Sequence, residues 1–126
     1  MNKNREIRRG DIFIADLGND GIGSEQHGKR PVLILQNDFG NFFSSTVTVV
    51  PITSSIKKTG LPTHYILKNT DFLRKTSMIL AESIKTIDKR RLIRVIGRLD
   101  DVDMAGVEQA IENQLGFSIP EAVEAP

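Results

Sequence analysis

Between Ile12 and Leu99 the chain is cut into six short β-rich runs, and no two of them are separated by the pattern of a helical crossover. The runs are Ile12–Ala15 between Asp11 and Asp16, then Val32–Leu35, Thr46–Ile52, Thr63–Leu67, Met78–Ile84 and Leu92–Leu99, with Asn, Gly, Pro, Ser and Lys as punctuation. Parallel strands need long, usually helical, connections. The spacing therefore predicts antiparallel pairing in a small closed or half-closed barrel, a mainly β fold.

The pattern changes after Leu99. Asp100 and Asp101 are placed to cap a helix, Val107, Ala110, Ile111 and Leu115 recur at helical spacing, and Gly116 supplies a stop. Asp103 in the first turn complements the helix dipole, and Glu108 and Glu112 fall on the solvent side of the stripe. The expected organisation is one domain over 1–126: a barrel at about 8–99, a C-terminal α-helix at about 100–116 and a loose tail at 117–126. With 126 residues, 39% of them hydrophobic, the chain is long enough for one core and short for two.

There is no Cys, which excludes disulfides, zinc-thiolate sites and cysteine nucleophiles. His27 and His64 stand alone, with no His-x-x-x-His and no clustered carboxylates, so no metal and no cofactor are expected. No stretch approaches membrane-spanning length and the charged N-terminus leads into no apolar h-region, which points to a cytoplasmic protein. The formal net charge of +1 conceals a segregation. All 17 Lys and Arg lie at or before Arg98 with only 9 acids, a balance of +8, and 7 acids follow with no cation. A basic body of this kind suits RNA or DNA, although a salt-bridged surface would give the same count.

The segment Gly23 to Pro31, Gly-Ser-Glu-Gln-His-Gly-Lys-Arg-Pro, concentrates polar groups before a strand. Gly21, Gly23 and Gly28 allow positive φ, and Pro31 fixes the chain at the strand edge beside Arg30. With Ser24, Gln26 and Lys29 nearby, Arg30 is suited to gripping a phosphate. No Gly-Lys-Ser/Thr follows, so this is not a nucleotide-hydrolysing loop, and no Gly-x-Ser-x-Gly elbow supports Ser-His-Asp hydrolysis. RNA cleavage needs less apparatus, because the substrate brings its own nucleophile in the 2′-hydroxyl. Arg30 would then serve as an electrostatic clamp; the bland reading is an exposed Arg paired with Glu25. Thr53 follows Pro51, where ladder bonding should end, and its hydroxyl either donates to a phosphate oxygen or caps a turn. Leu61-Pro62-Thr63-His64 offers a second exposed element, in which His64 stacks on a base, donates to phosphate or is simply a surface imidazole.

Taken in order, these residues resemble the MazF/PemK-type toxin endoribonucleases of bacterial toxin-antitoxin systems. The resemblance is carried by Arg9-Gly10-Asp11, Ala15-Asp16-Leu17, Gly23-Ser24-Glu25-Gln26, Arg30-Pro31-Val32-Leu33, Gln36-Asn37-Asp38 and Gly40-Asn41. It continues through Ile52-Thr53, Leu61-Pro62-Thr63-His64, Thr86-Ile87-Asp88-Lys89, Arg91-Leu92 and Leu99-Asp100-Asp101, leaving only the basic N-terminal extension and the acidic tail outside. It implies an SH3-like barrel that forms a homodimer and cuts single-stranded RNA at a short motif without metal, leaving a 2′,3′-cyclic phosphate and a 5′-hydroxyl. It also implies a cognate antitoxin with an acidic, flexible segment. By the same carry-over Arg30 and Thr53 are the catalytic pair. Ser24, Glu25, Gln26, Lys29, Leu61, Thr63, His64, Glu82 and Ser83 are the substrate-binding residues.

Two positions depart from the family pattern: Glu82-Ser83 where relatives often have Glu-Gln, and His27-Gly28 where many have Gly-Gly. Both bear on base recognition, since Ser is shorter than Gln, and His27 becomes an extra candidate for proton transfer, expected to contribute less than Arg30. Two rival functions remain at this level: a gyrase-binding toxin of the same fold, against which the lack of Trp and the acidic C-terminal end argue, and a non-cleaving RNA-binding barrel.

Overall fold

A computed structural model of the protein describes residues 6–118. Seven strands form one antiparallel sheet: β1 (Asp11–Asp16), β2 (Lys29–Ile34), β3 (Thr46–Thr53), β4 (His64–Ile66), β5 (Met78–Leu80), β6 (Lys85–Asp88) and β7 (Leu92–Arg98). The order is β4-β5-β3-β2-β1-β7, with β6 on β3. β3 is the organising strand, since one edge takes β2 while the other takes β6 along Thr46–Val49 and β5 at Ile52–Thr53. Among the described residues no ladder joins β4 to β7, so the mainly β, SH3-like arrangement is a bent open sheet and a barrel only loosely.

The middle of β1, the end of β2 and the second half of β3 read as continuous apolar runs because both faces of the sheet are covered there, whereas β6 and β7 keep exposed residues. Alternate residues separate into two cores. Ile12, Leu33, Val50 and Ile52 face Leu67, Ile79 and the C-terminal helix, whereas Phe13, Val32, Ile34, Val47 and Val49 pack with Ile7, Ile87 and Leu92.

The helix α2 (Asp101–Leu115) forms as its sequence predicts: the Asp100 carboxylate accepts from the Asp103 amide at 2.8 Å, and Gly116 closes the helix at φ 81°. Met104, Val107 and Ala110 carry the buried face, while Leu115, expected on the same stripe, is 51% exposed. Asp103 does more than complement the dipole. It is fully buried and accepts from the Tyr65 hydroxyl (2.8 Å) and from the amides of Lys68 and Asn69 (both 3.0 Å), tying α2 to the segment after β4.

Three features depart from the expected layout. A short helix α1 (Asp38–Phe43) is unexpected: its Phe39, Phe42 and Phe43 recur at helical spacing but span barely one turn and stay exposed, and the helix is held by polar groups, with Asn37 Oδ1 accepting from the Gly40 amide and buried Asn41 donating to the Gln36 carbonyl. The expected strand Met78–Ile84 ends at Leu80, where a 3₁₀ turn at Ala81–Ser83 breaks it, and β6 appears as a seventh strand. Pro51 lies within β3; it is the last residue paired to β2, but Ile52 and Thr53 continue the ladder on the β5 side. Of the three loop glycines, Gly23 and Gly28 take positive φ (60° and 75°) and Gly21 does not. The loose tail beyond Ser118 and the N-terminal residues before Glu6 lie outside the described residues.

Candidate functional site

Arg30 and Thr53 sit on neighbouring strands. The β2–β3 ladder ends at the pair Val32 and Pro51, and two further steps in the same register set Arg30 against Thr53. Together they line a cleft of about 460 Å³ at the end of the sheet. The Arg30 guanidinium is fixed from behind. Its Nε donates to the His27 carbonyl at 3.0 Å and its Nη1 to Gln26 Oε1. The Glu25 pairing does not form, and among the described residues Arg30 has no ion pair, so its charge is directed to the cleft without a neutralising acid. Thr53 Oγ1 accepts from the Ser55 amide at 3.1 Å, the turn-capping role of a Thr after a strand. That bond uses an oxygen lone pair and leaves the hydroxyl proton free to donate.

The opposite wall of this cleft comes from the segment between β4 and β5, through Leu73, Arg74, Lys75 and Ser77. None of these residues belongs to a motif that marks a site in the sequence. The adjacent Arg74-Lys75 was the only available signal, and it is a weak one, because a basic dipeptide usually marks a solvated loop.

A second cleft of about 400 Å³ lies beside the first, with Ser24, Glu25 and Gln26 of the loop facing Glu82 and Ser83 of the 3₁₀ turn. Gln26 belongs to both regions: it lines this cleft and holds Arg30. His64 is not the exposed imidazole expected, since its side chain is only 6% accessible. Nε2 meets Glu82 Oε2 at 2.6 Å and Nδ1 meets the Lys58 carbonyl at 3.1 Å. Both partners are acceptors, so the two bonds form together only on a doubly protonated ring. A ring so enclosed is unsuited to base stacking and instead orients Glu82. Partial burial pushes the Glu82 carboxyl up, but hydrogen bonds from His64, its own backbone amide and the Thr63 hydroxyl outweigh this and hold it below the ordinary carboxylate range.

Leu61 and Thr63 line neither cleft and reach the site through this cluster: the His64 amide donates to the Leu61 carbonyl, and the Ala81 amide to the Thr63 carbonyl. Lys29, exposed opposite Asp16 at the start of β2, is in neither cleft. His27 is exposed, with Nδ1 3.2 Å from the Glu25 carbonyl. Among the described residues no group of three or more His, Asp or Glu is arranged to hold a metal ion, and no helix is long and apolar enough to cross a membrane.

The chain matches the family described as PemK-like, MazF-like toxin of type II toxin-antitoxin system over residues 8–115. It is 46% identical over 112 residues to the endoribonuclease EndoA of Bacillus subtilis strain 168, covering 88% of this chain and 96% of that one. It is 47% identical over 112 residues to the endoribonuclease MazF of Staphylococcus saprophyticus, covering 88% and 92%. Among solved structures, a mycobacterial endoribonuclease in complex with its cognate antitoxin superposes with a TM-score of 0.75 at 26% identity, covering 90% of this chain and 99% of that one. MazF from Deinococcus radiodurans (TM-score 0.76, 24% identity, covering 90% and 99%) shares the fold.

Proposed function

The chain belongs to the PemK-like, MazF-like toxin family of type II toxin-antitoxin systems, and on that premise we propose that it is an endoribonuclease that cuts single-stranded RNA at a short motif without a metal ion. The 2′-oxygen of the nucleotide before the cut forms a bond to phosphorus while the bond to the 5′-oxygen breaks. The 2′-hydroxyl proton leaves to a base and a proton reaches the departing 5′-oxygen, so the products are a 2′,3′-cyclic phosphate and a 5′-hydroxyl. Arg30 neutralises the charge that builds on the pentacovalent phosphate, and Thr53 donates its hydroxyl proton to a non-bridging oxygen. Ser24, Glu25, Gln26, Glu82 and Ser83 line the path of the bases, with His64 and Thr63 fixing Glu82, and Leu61 and Lys29 at its rim.

The observation that carries this reading is the unneutralised Arg30 set opposite Thr53 in one cleft. The enzyme acts in the cytoplasm as a homodimer and is silenced by a cognate antitoxin whose acidic segment competes for the same cationic surface. The test is a long single-stranded RNA incubated with the purified protein in EDTA. We expect discrete fragments whose ends carry a cyclic phosphate by mass spectrometry, with cleavage lowered on the order of 100- to 1000-fold in Arg30→Ala and to a lesser degree in Thr53→Ala. RNA bound but left intact would give the non-cleaving reading instead, and intact, unbound RNA would leave a protein target as the alternative.

A further inference from the structure

We propose that Arg74 and Lys75 form a second phosphate subsite, which grips a phosphodiester neighbouring the one held by Arg30; this rests on the endoribonuclease reading and extends it. The segment that carries them has no regular secondary structure, yet it is pinned along its length. At its start, buried Asp103 accepts from the amides of Lys68 and Asn69, and Asp100 accepts from Asn69 Nδ2 at 2.7 Å. In the middle, the Leu73 amide donates to the Thr70 carbonyl, and the Phe72 ring packs so closely on Gly97 that a Cβ there would lie 2.5 Å from it. At its end, Ser77 Oγ donates to the Lys75 carbonyl at 2.8 Å, and the Ser77 carbonyl accepts from the Leu67 amide.

The tip is thus delivered to the cleft of Arg30 and Thr53 by fixed backbone. Neither Arg74 nor Lys75 has an ion pair among the described residues, and no Asp or Glu lines that cleft. The second cleft is different, with Glu25 and Glu82 in its walls. Three cations facing one concavity repel one another until an anion enters. One phosphate occupies Arg30, and a single-stranded polyanion brings the next phosphate within the same groove. A pair of cations on an ordinary solvated loop would lack the pinning and would not converge on a third.

The test uses an RNA oligonucleotide made uncleavable by a 2′-deoxy nucleotide at the mapped cut site. Wild type and the Arg74→Ala/Lys75→Ala double variant are compared in the salt dependence of binding, with Arg94→Ala, an exposed cation outside the cleft, as control. Loss of one phosphate contact lowers the log–log salt slope by about 0.7 in the double variant and leaves Arg94→Ala near wild type. A second series replaces phosphodiesters one at a time with neutral methylphosphonates. Wild type should lose affinity most at one linkage beside the cut, and the double variant should be indifferent at that linkage. Equal slopes and equal methylphosphonate profiles in wild type and variant overturn the subsite. Both residues are exposed, and an unchanged melting temperature shows that the variant is folded. Wild-type RNA cleavage, scored separately, decides the endoribonuclease reading, and the same salt-slope comparison repeated on an all-2′-deoxy oligonucleotide, which needs no mapped cut, tests the subsite whichever way that falls.

Discussion

Arg30 owes its position to neutral partners, the Gln26 side chain and the His27 carbonyl, so its charge is not consumed in being held. Substituting it should therefore act on chemistry more than on folding. The carbonyl of His27, which an Ala retains, is what touches Arg30, while the imidazole is exposed against the Glu25 carbonyl. His27→Ala should accordingly keep cleavage within about 10-fold of wild type in single-turnover assays, against the 100- to 1000-fold loss in Arg30→Ala. Equal losses would make the imidazole a proton-transfer group of the first importance. The identity of Arg30 as the key cation was legible from its rigid setting before Pro31, whereas its restraint by Gln26 was not. Gln26 reads in sequence as a polar loop residue, and only the fold back across positive-φ Gly28 turns it onto the guanidinium.

The join between α2 and β4 shows one close fit outweighing a local preference. Gly106 lies in mid-helix, where Ala would be favoured by roughly 1 kcal/mol on propensity alone. A Cβ at that point would fall 2.0 Å from the Tyr65 ring, and such overpacking costs about 1 to 3 kcal/mol, so Gly106→Ala should lower the melting temperature. It should also loosen the Tyr65 bond to Asp103. Burial, and then that bond, push the Tyr65 hydroxyl from 10.0 to about 12. Because the folded state binds this proton more tightly, the associated stability is complete below pH 10.0 and is lost as pH rises through about 12. Tyr65 is the only Tyr and there is no Trp, so its phenolate is read directly by near-ultraviolet absorbance. The expected result is a titration above 10.0 in wild type that moves back towards it in Gly106→Ala, and an unmoved titration would mean that Tyr65 and α2 are not coupled. Elements buried on both faces were legible because burial writes itself as unbroken apolar runs such as Val32–Ile34. β6 buries only Ile87 and left no periodic signal, while the helical spacing of Phe39, Phe42 and Phe43 in α1 covers too few residues to be told from a loop, since that helix is six residues held by Asn37 and Asn41.

At the scale of the molecule, a net charge of +1 is less informative than where the charges are neutralised. Several surface cations are already paired, as in Arg8 with Glu6, Arg98 with Asp11, Arg90 with Asp88 and Arg9 with Glu108. Among the described residues the cleft cations Arg30, Arg74 and Lys75 are not, and the acids of α2 line neither the cleft of Arg30 and Thr53 nor that of Glu25 and Glu82. The sequence disclosed the segregation between body and C-terminal end, but the convergence of Arg74 and Lys75 on Arg30 depends on Asp103, a residue 28 positions or more away from them in the chain, and no local pattern carries it. An evenly mixed protein of this net charge would have little affinity for a polyanion without bases. This one should bind heparin at low salt, and heparin should inhibit RNA cleavage by filling the cationic cleft. Because binding of that kind rests on counterion release, the inhibition should fall steeply between about 50 and 200 mM salt. The melting temperature should hold over the same interval, since exposed ion pairs contribute only about 0 to 1 kcal/mol each. Inhibition that persists at high salt, or is absent at low salt, would show that the cleft cations are neutralised in solution and that charge does not guide RNA into the site.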